Sequence, residues 1–312
     1  MAAGESSRAP EAETAALQHR VAVLNQKGGT GKTTTAISLS AGLAEAGRRV
    51  LLIDADPQGN VAVSLGLRPR HTLYHVMVEN MALDDAVVPI GGNFDVLGSD
   101  DALAKAEWSL AQNPNRGGVL SDRLQGAPGY DHVVIDCGPA LSLVNQNVLC
   151  FAGEVLVPVA CEYLSLVGVK QLLATVKRVN MQLGHPLEVG GVLPTFFDSR
   201  LRSCQEALES LRQHFGERCL PPIHANVRLK EAPRHKKTIF EYDTNSAGAM
   251  NYRAVVAWML QRTAQAQRAG QTAVQSAAAP PVPAAAVPAA NAVVAAAVHG
   301  GPGGRTGNVN RP

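Results

Sequence analysis

A glycine-rich stretch, Gln26-Lys27-Gly28-Gly29-Thr30-Gly31-Lys32-Thr33-Thr34, constrains this chain more than any other feature. An apolar run, Val21–Leu24, precedes it, and a helical pattern opens at Lys32. Between a strand and a helix, glycines let backbone N–H groups turn inward around phosphate oxygens. The helix N-terminus adds its partial positive charge. In such a loop Lys32 reaches the β- and γ-phosphates, and the Thr33 hydroxyl ligates magnesium. A turn with no ligand accounts for the glycines but not for the Gly31-Lys32-Thr33-Thr34 ending. The ordinary pattern has glycine where Gln26 stands, and here a second lysine, Lys27, directly precedes the glycine pair.

The surroundings predict an α/β fold. Val50–Ile53, Val133–Ile135 and Val155–Val159 are further short apolar runs, as in parallel strands covered by helices on both faces. Lys32 to Ala46 reads as a helix. Ala36, Leu39 and Leu43 share one face, and Gly47 stands where a helix end favours glycine. Ser203 and Glu206 read as a capping box. Leu208, Leu211 and Phe215 follow at helical spacing, and Gly216 ends the helix. Strands alternating with helices predict a doubly wound, mainly parallel sheet flanked by helices.

Composition divides the chain of 312 residues into three. Residues 1–19 form a polar arm without the apolar run of a secretory leader. Residues 20–262 form the α/β domain. Residues 263–312 are rich in Ala, Pro, Val and Gly and are expected to be disordered, with scattered prolines cutting short any helix that alanine favours. The apolar tail segment Val282–Val298 is too short to span a membrane and carries Pro283 and Pro288. Cys137, Cys150, Cys161, Cys204 and Cys219 are odd in number and scattered, which predicts reduced thiols rather than a disulfide framework or a zinc site.

Two acidic segments accompany the glycine loop. Leu51-Leu52-Ile53-Asp54-Ala55-Asp56-Pro57-Gln58-Gly59-Asn60 and Val133-Val134-Ile135-Asp136 each end an apolar run on carboxylates. With the doubled lysine they make three motifs in order, and the chain resembles the ParA/MinD family of deviant Walker A P-loop ATPases over residues 20–262. The resemblance implies ATP and Mg2+ as cofactors and ATP hydrolysis as the activity. It implies that Lys27, Gly28, Gly29, Thr30, Gly31, Lys32, Thr33 and Thr34 bind the nucleotide. In the family the extra lysine, here Lys27, reaches across a dimer interface to phosphates held by the partner subunit. Asp56 would position or polarise the attacking water, making Lys27, Lys32 and Asp56 the catalytic set. Thr33, Asp54 and Asp136 would serve the metal, Asp136 through a bound water. Relatives usually carry two prolines after the last acidic motif. This chain reads Asp136-Cys137-Gly138-Pro139, and Gly138 predicts a looser loop facing the γ-phosphate.

The resemblance also covers Val157–Leu166 and Gly191–Arg200. Most specific is Asn226–Pro233 with Tyr242-Asp243, Gly248-Ala249 and Tyr252, an array typical of chromosomal, Soj-like ParA proteins. Net charge is only +2, which by itself argues against a nucleic-acid coat. Yet Arg228–Lys237 holds five basic side chains and one acid, Glu231. Setting that segment aside turns +2 into −2. In ParA relatives, basic residues of this region bind DNA without sequence preference, and only in the ATP-bound dimer. Arg228, Lys230, Arg234, Lys236 and Lys237, extended by Arg200 and Arg202, are therefore expected to contact DNA. A few phosphate contacts give weak, salt-sensitive binding that dimerisation can switch. A solvated charged loop, or Arg228 packed near the nucleotide, stay open as alternatives.

The resemblance further implies an ATP-state homodimer, a ParB-like activating partner, and a cytoplasmic, nucleoid-associated location. The arm is too short for a helix-turn-helix domain. The tail lacks the basic amphipathic helix with which MinD relatives bind membranes, so membrane association is disfavoured. A MinD-like division-site regulator and a nucleotide-gated scaffold with little turnover are the competing readings.

Overall fold

The protein is described from a computed structural model, which covers residues 19–124, 129–161 and 187–278, with four positions between 162 and 186. Each apolar run folds as a strand, with bounds shifted by a residue or two: β1 (His19–Val23), β2 (Val50–Ala55), β5 (His132–Cys137) and β6 (Glu154–Ala160). A short pair, β3 (Val88–Gly91) and β4 (Phe94–Leu97), and a final β7 (Glu188–Thr195) complete one seven-stranded sheet in the order β3-β4-β2-β5-β1-β6-β7. Every neighbouring pair is parallel except the antiparallel β3–β4 edge. That hairpin escapes the apolar-run reading because Pro89 and the turn at Gly91 (φ 147°) and Gly92 (φ 57°) break its pattern.

Successive strand residues feed two buried layers. Ala22, Leu51, Ile53, Val133 and Ile135 enter one, while Val21, Val23, Val50, Leu52 and Val134 enter the other. A strand buried on both faces must be apolar throughout, which explains the continuous runs. α1 (Lys32–Glu45) joins β1 to β2 and buries Ala36, Leu39 and Leu43. α2 (Asn60–Leu65), α3 (Leu73–Val78) and α4 (Leu83–Ala86) follow β2. α5 (Ala106–Ala111) and α6 (Val119–Leu124) precede β5, and α7 (Leu143–Ala152) joins β5 to β6. After β7 come α8 (Arg202–Phe215), α9 (Val227–Glu231), α10 (Ile239–Tyr242) and α11 (Ala247–Ala278).

Two expectations change. α8 starts at Arg202 with Leu201 at its cap position, so Ser203 lies inside the helix and makes no capping box. Glu206 is instead held one turn back by Arg202 at 2.7 Å. The apolar face and the stop are as expected: Leu208 and Leu211 are buried, and Gly216 (φ 52°) follows the last turn. α11 runs past residue 262 to Ala278. Residues 263–278 contain no proline, so alanine's helix preference prevails there, and the tail's first proline is Pro280. The described residues up to Ala269 form one compact unit; of a second, which begins at Gly270, the helical residues 270–278 are described. The expected disorder of the arm and tail falls on residues 1–18 and 279–312, outside the described residues, as do 162–166 of the Val157–Leu166 segment. His19, assigned to the arm, is the first residue of β1. No described helix is long and apolar enough to cross a membrane.

The sheet order places the site. β1 lies between β5 and β6; the connection from β1 runs to β2 on one side of it, and the connection from β5 crosses to β6 on the other. Ligands of open α/β sheets bind outside the carboxyl ends of strands at such a switch point. Register does the rest: Asp54 of β2 and Val23 of β1 both pair with Asp136 of β5, so the loops after these three strands meet.

Candidate active site

The phosphate loop runs from Asn25 to the first turn of α1. The Asn25 amide donates to the Pro158 carbonyl at 2.7 Å, and the Asn25 side-chain oxygen accepts from the Lys27 N–H at 3.0 Å. Gly29 (φ 73°) and Gly31 (φ 85°) take left-handed conformations that side chains disfavour, and Gly31 sits at the α1 cap. The Thr195 hydroxyl, at the end of β7, donates to the Thr30 carbonyl at 2.9 Å and ties the loop to the sheet. Lys32 is buried, and its ammonium donates back to the Lys27 carbonyl at 3.3 Å, over the concave face of the loop. α1 is anchored from behind, where the Thr35 hydroxyl meets the fully buried Tyr252 hydroxyl at 3.1 Å.

The three carboxylates have different surroundings. Asp54 is fully buried, accepting the Asp56 N–H at 3.0 Å on one oxygen and the Val61 N–H at 3.1 Å on the other. Burial, with the neighbouring Asp136 charge, holds its pKa well above the ordinary carboxylate range. Asp54 was expected at the metal, yet both oxygens brace the loop that follows it. Asp56 emerges from that loop. It accepts the Gln58 N–H at 3.1 Å, and its carbonyl accepts the Gly59 N–H at 3.0 Å, closing a tight turn. Gly59 (φ 61°) is obligatory here, since a Cβ would lie 2.8 Å from the Ser99 carbonyl oxygen.

Asp136 is the carboxylate suited to a cation. It is fully buried, and neither oxygen accepts a hydrogen bond among the described residues. Burial raises its pKa to about 7, with the Asp56 charge adding to the rise, while the Thr33 side chain and the Lys32 charge pull it down. A buried anion this sparsely compensated is costly. The arrangement of Asp136, the Thr33 hydroxyl and Lys32 fits a hydrated divalent cation beside phosphate oxygens.

Side-chain hydrogen bonds hold the loop after Asp136 in place. Gly138 faces Asp56: a Cβ there would lie 3.5 Å from the Asp56 carboxyl carbon. The buried Asn145 side chain, in the first turn of α7, donates to the Gly138 carbonyl at 2.8 Å and also to the Ala140 carbonyl. Ser142 caps α7 through the Asn145 N–H, and Glu107 from α5 accepts the Leu143 and Val144 N–H groups at 3.0 and 3.3 Å. A side-chain amide thus restrains the segment around Gly138. Asn145 and Glu107 escaped the sequence reading; the only local signal was Ser142 three residues before Asn145.

The basic segment is α9 and the turn that follows. The Arg228 guanidinium pairs with Glu231 at 2.9 Å and Asp243 at 3.4 Å, and the Tyr242 hydroxyl donates to Glu231 at 3.0 Å. Leu229 packs against Gly248, where a Cβ would come within 2.8 Å of it. These contacts join the Asn226–Pro233, Tyr242-Asp243 and Gly248 pieces of the array into one unit, and they place Arg228 on carboxylates. Arg200 grips Asp198 with two hydrogen bonds, at 2.7 and 2.9 Å, and Arg202 pairs with Glu206. The Lys236 ammonium donates to the Val63 carbonyl of α2 at 2.7 Å. Among the described residues, Lys230, Arg234 and Lys237 show no ion pair, and all three are exposed.

Fold and loop together define a P-loop nucleotide-binding protein. Residues 18–189 match the AAA domain family. The chain is 41% identical over 240 residues to the chromosome partitioning protein ParA of Caulobacter vibrioides, covering 74% of this chain and 90% of the relative. It is 42% identical over 248 residues to the chromosome-partitioning ATPase Soj of Thermus thermophilus, covering 79% and 97%. Among solved structures it resembles a cobyrinic acid a,c-diamide synthase from Mycobacterium smegmatis with bound ADP and magnesium, at 33% identity and a TM-score of 0.66, over 78% of this chain and 95% of that one. MinD of Pyrococcus horikoshii, complexed with Mg-ADP, shares the fold at 23% identity and a TM-score of 0.63, over 77% and 95%. The chain belongs to the ParA/Soj family of chromosome-partitioning ATPases.

Proposed function

We propose that this protein is a Mg2+-dependent ATPase that closes an ATP-bound homodimer and binds nucleoid DNA non-specifically. A ParB-like or other partner stimulates its hydrolysis, and the cycle segregates or positions DNA or another large cargo in the cytoplasm. The observation that supports the reading is the convergence of the doubled-lysine loop, Asp56 and the buried Asp136, beside Thr33 and Lys32, at the carboxyl ends of β1, β2 and β5.

Each residue has a stated task. Backbone N–H groups from Gly28 to Thr34 cradle the phosphates, with the α1 N-terminus behind them. Lys32 neutralises charge on the β- and γ-phosphates. Thr33 and Asp136 hold the magnesium, which when bound offsets phosphate charge. Asp56 orients the attacking water, with the Gly138 loop closing over it. Lys27 reaches the partner subunit's nucleotide, so hydrolysis and dimerisation share one side chain. Paired copies of Lys230, Arg234 and Lys237 then present enough cations for phosphate-backbone binding.

The test is DNA co-sedimentation at low salt for the wild type and Asp56→Ala, with ATP, with ADP and without nucleotide. Retention by Asp56→Ala with ATP at least about tenfold above its ADP level is expected, because the variant holds the dimer. Equal retention with ATP and ADP refutes nucleotide-gated DNA binding. Sedimentation with anionic liposomes instead of DNA supports the MinD-like reading.

A further inference from the structure

Lys236 was expected to touch DNA, but its geometry suits another task. Its backbone lies at φ 58° and ψ 41°, the left-handed region that favours glycine. A lysine there holds a strained backbone that its contacts must offset. The side chain crosses to α2. Its stem lies over Gly66 (φ 70°), where a Cβ would come within 2.9 Å of the Lys236 Cβ. Its ammonium donates to the Val63 carbonyl at 2.7 Å. That carbonyl is one of the helix-end acceptors without a helical partner, since the Leu67 N–H donates to Ala62 instead. Gly66 leaves room for the stem, and the stem ends on the helix.

α2 is also the far side of the Asp54–Asp56 loop. Its Val61 N–H donates to one oxygen of Asp54, and the other oxygen holds the Asp56 N–H. Contacts therefore run without a break from Lys236 through α2 and Asp54 to the backbone of Asp56. We infer that Lys236 is a positioning residue for hydrolysis, a strut that fixes α2 and the Asp56 turn against the basic segment. Its ammonium is committed to Val63, so it adds little to DNA affinity. The inference rests on the ATPase reading above and deepens it by coupling the segment assigned to DNA to the carboxylate assigned to water.

Full-length Lys236→Met keeps the stem and loses the donor, whereas Lys236→Arg keeps a donor. For Lys236→Met, kcat for ATP is expected to fall about tenfold while KM stays within about twofold. Amide exchange at Val61 and its α2 neighbours should quicken, with exchange in β1 and β5 unchanged. DNA affinity in the ATP state and its salt slope should stay within about twofold, and Lys236→Arg should restore kcat. Unchanged kcat together with unchanged α2 exchange overturns the inference. So does a loss of DNA affinity at wild-type kcat, which makes Lys236 a DNA contact. A wild type that turns over no ATP is a failure of the ATPase reading, and α2 exchange then still decides whether the strut exists.

Discussion

The nucleotide site and the basic segment are both rich in charge, but their charges stand in opposite conditions. Asp136 is buried beside the Thr33 hydroxyl and Lys32, and Lys32 is itself buried over a glycine loop. In the basic segment and its extension, Arg228, Arg200 and Arg202 each sit on a carboxylate, and Lys236 sits on a carbonyl. A buried carboxylate with so little compensation is costly and calls for a cation. A surface arginine settles on the nearest acid with little net gain. Charge counted along a sequence is therefore a fair guide to the first kind of site and a poor one to the second.

The largest effects belong to the nucleotide site. Lys32→Ala is expected to weaken ATP binding by about 100-fold or more in a fluorescent-nucleotide titration. Wild-type affinity would remove Lys32 from the phosphates and break the contrast at its stronger end. Asp56→Ala should lower single-turnover hydrolysis by about 100-fold while leaving ATP affinity within a few-fold. A matching loss of affinity would make Asp56 a binding group rather than a water-positioning one.

Gly59→Ala tests the scaffold behind those charges. The substitution meets both φ 61° and a carbonyl oxygen 2.8 Å from the new Cβ. A cost of about 2–4 kcal/mol in chemical unfolding is expected. The same change at Gly28, where nothing lies within 4 Å of a Cβ, should leave stability nearly untouched. Equal costs at the two glycines would show that the acidic turn is less constrained than its geometry implies.

Much of this site was legible because its chemistry is local. The glycines at 29 and 31, the lysine behind them and the strand-end carboxylates recur at fixed spacing, and a parallel sheet brings strand ends together whatever the intervening loops do. The β3–β4 hairpin was not legible, because proline and paired glycines interrupt its alternation. Nor was the grip of Asn145 on the Gly138 loop, since its two acceptors are backbone carbonyls whose position follows from the fold alone. Asp54 and Asp56 look equivalent in sequence. They differ because one oxygen pair faces backbone N–H groups and the other carboxylate emerges from the turn. The Ser203 cap failed for a related reason: the cap position falls at Leu201, two residues earlier, and Glu206 bonds to Arg202 instead.

The smallest effects discriminate within the basic side chains themselves. Arg200 holds Asp198 through two hydrogen bonds, so the pair presents almost no net charge to a polyanion. Arg202 and Glu206 form a similar couple. Lys230 and Arg234 have no such acid. Lys230→Glu with Arg234→Glu should weaken ATP-state DNA binding about tenfold or more at low salt and lower the salt slope by about one to two. Arg200→Ala with Arg202→Ala should lower affinity by no more than about threefold, chiefly because Asp198 and Glu206 are left uncompensated near the phosphates. Titrations of both double variants at two salt concentrations separate the cases. An equal loss in the two would show that arginines exchange carboxylate for phosphate freely at this surface, and that pairing in the unbound protein does not mark a side chain as unavailable.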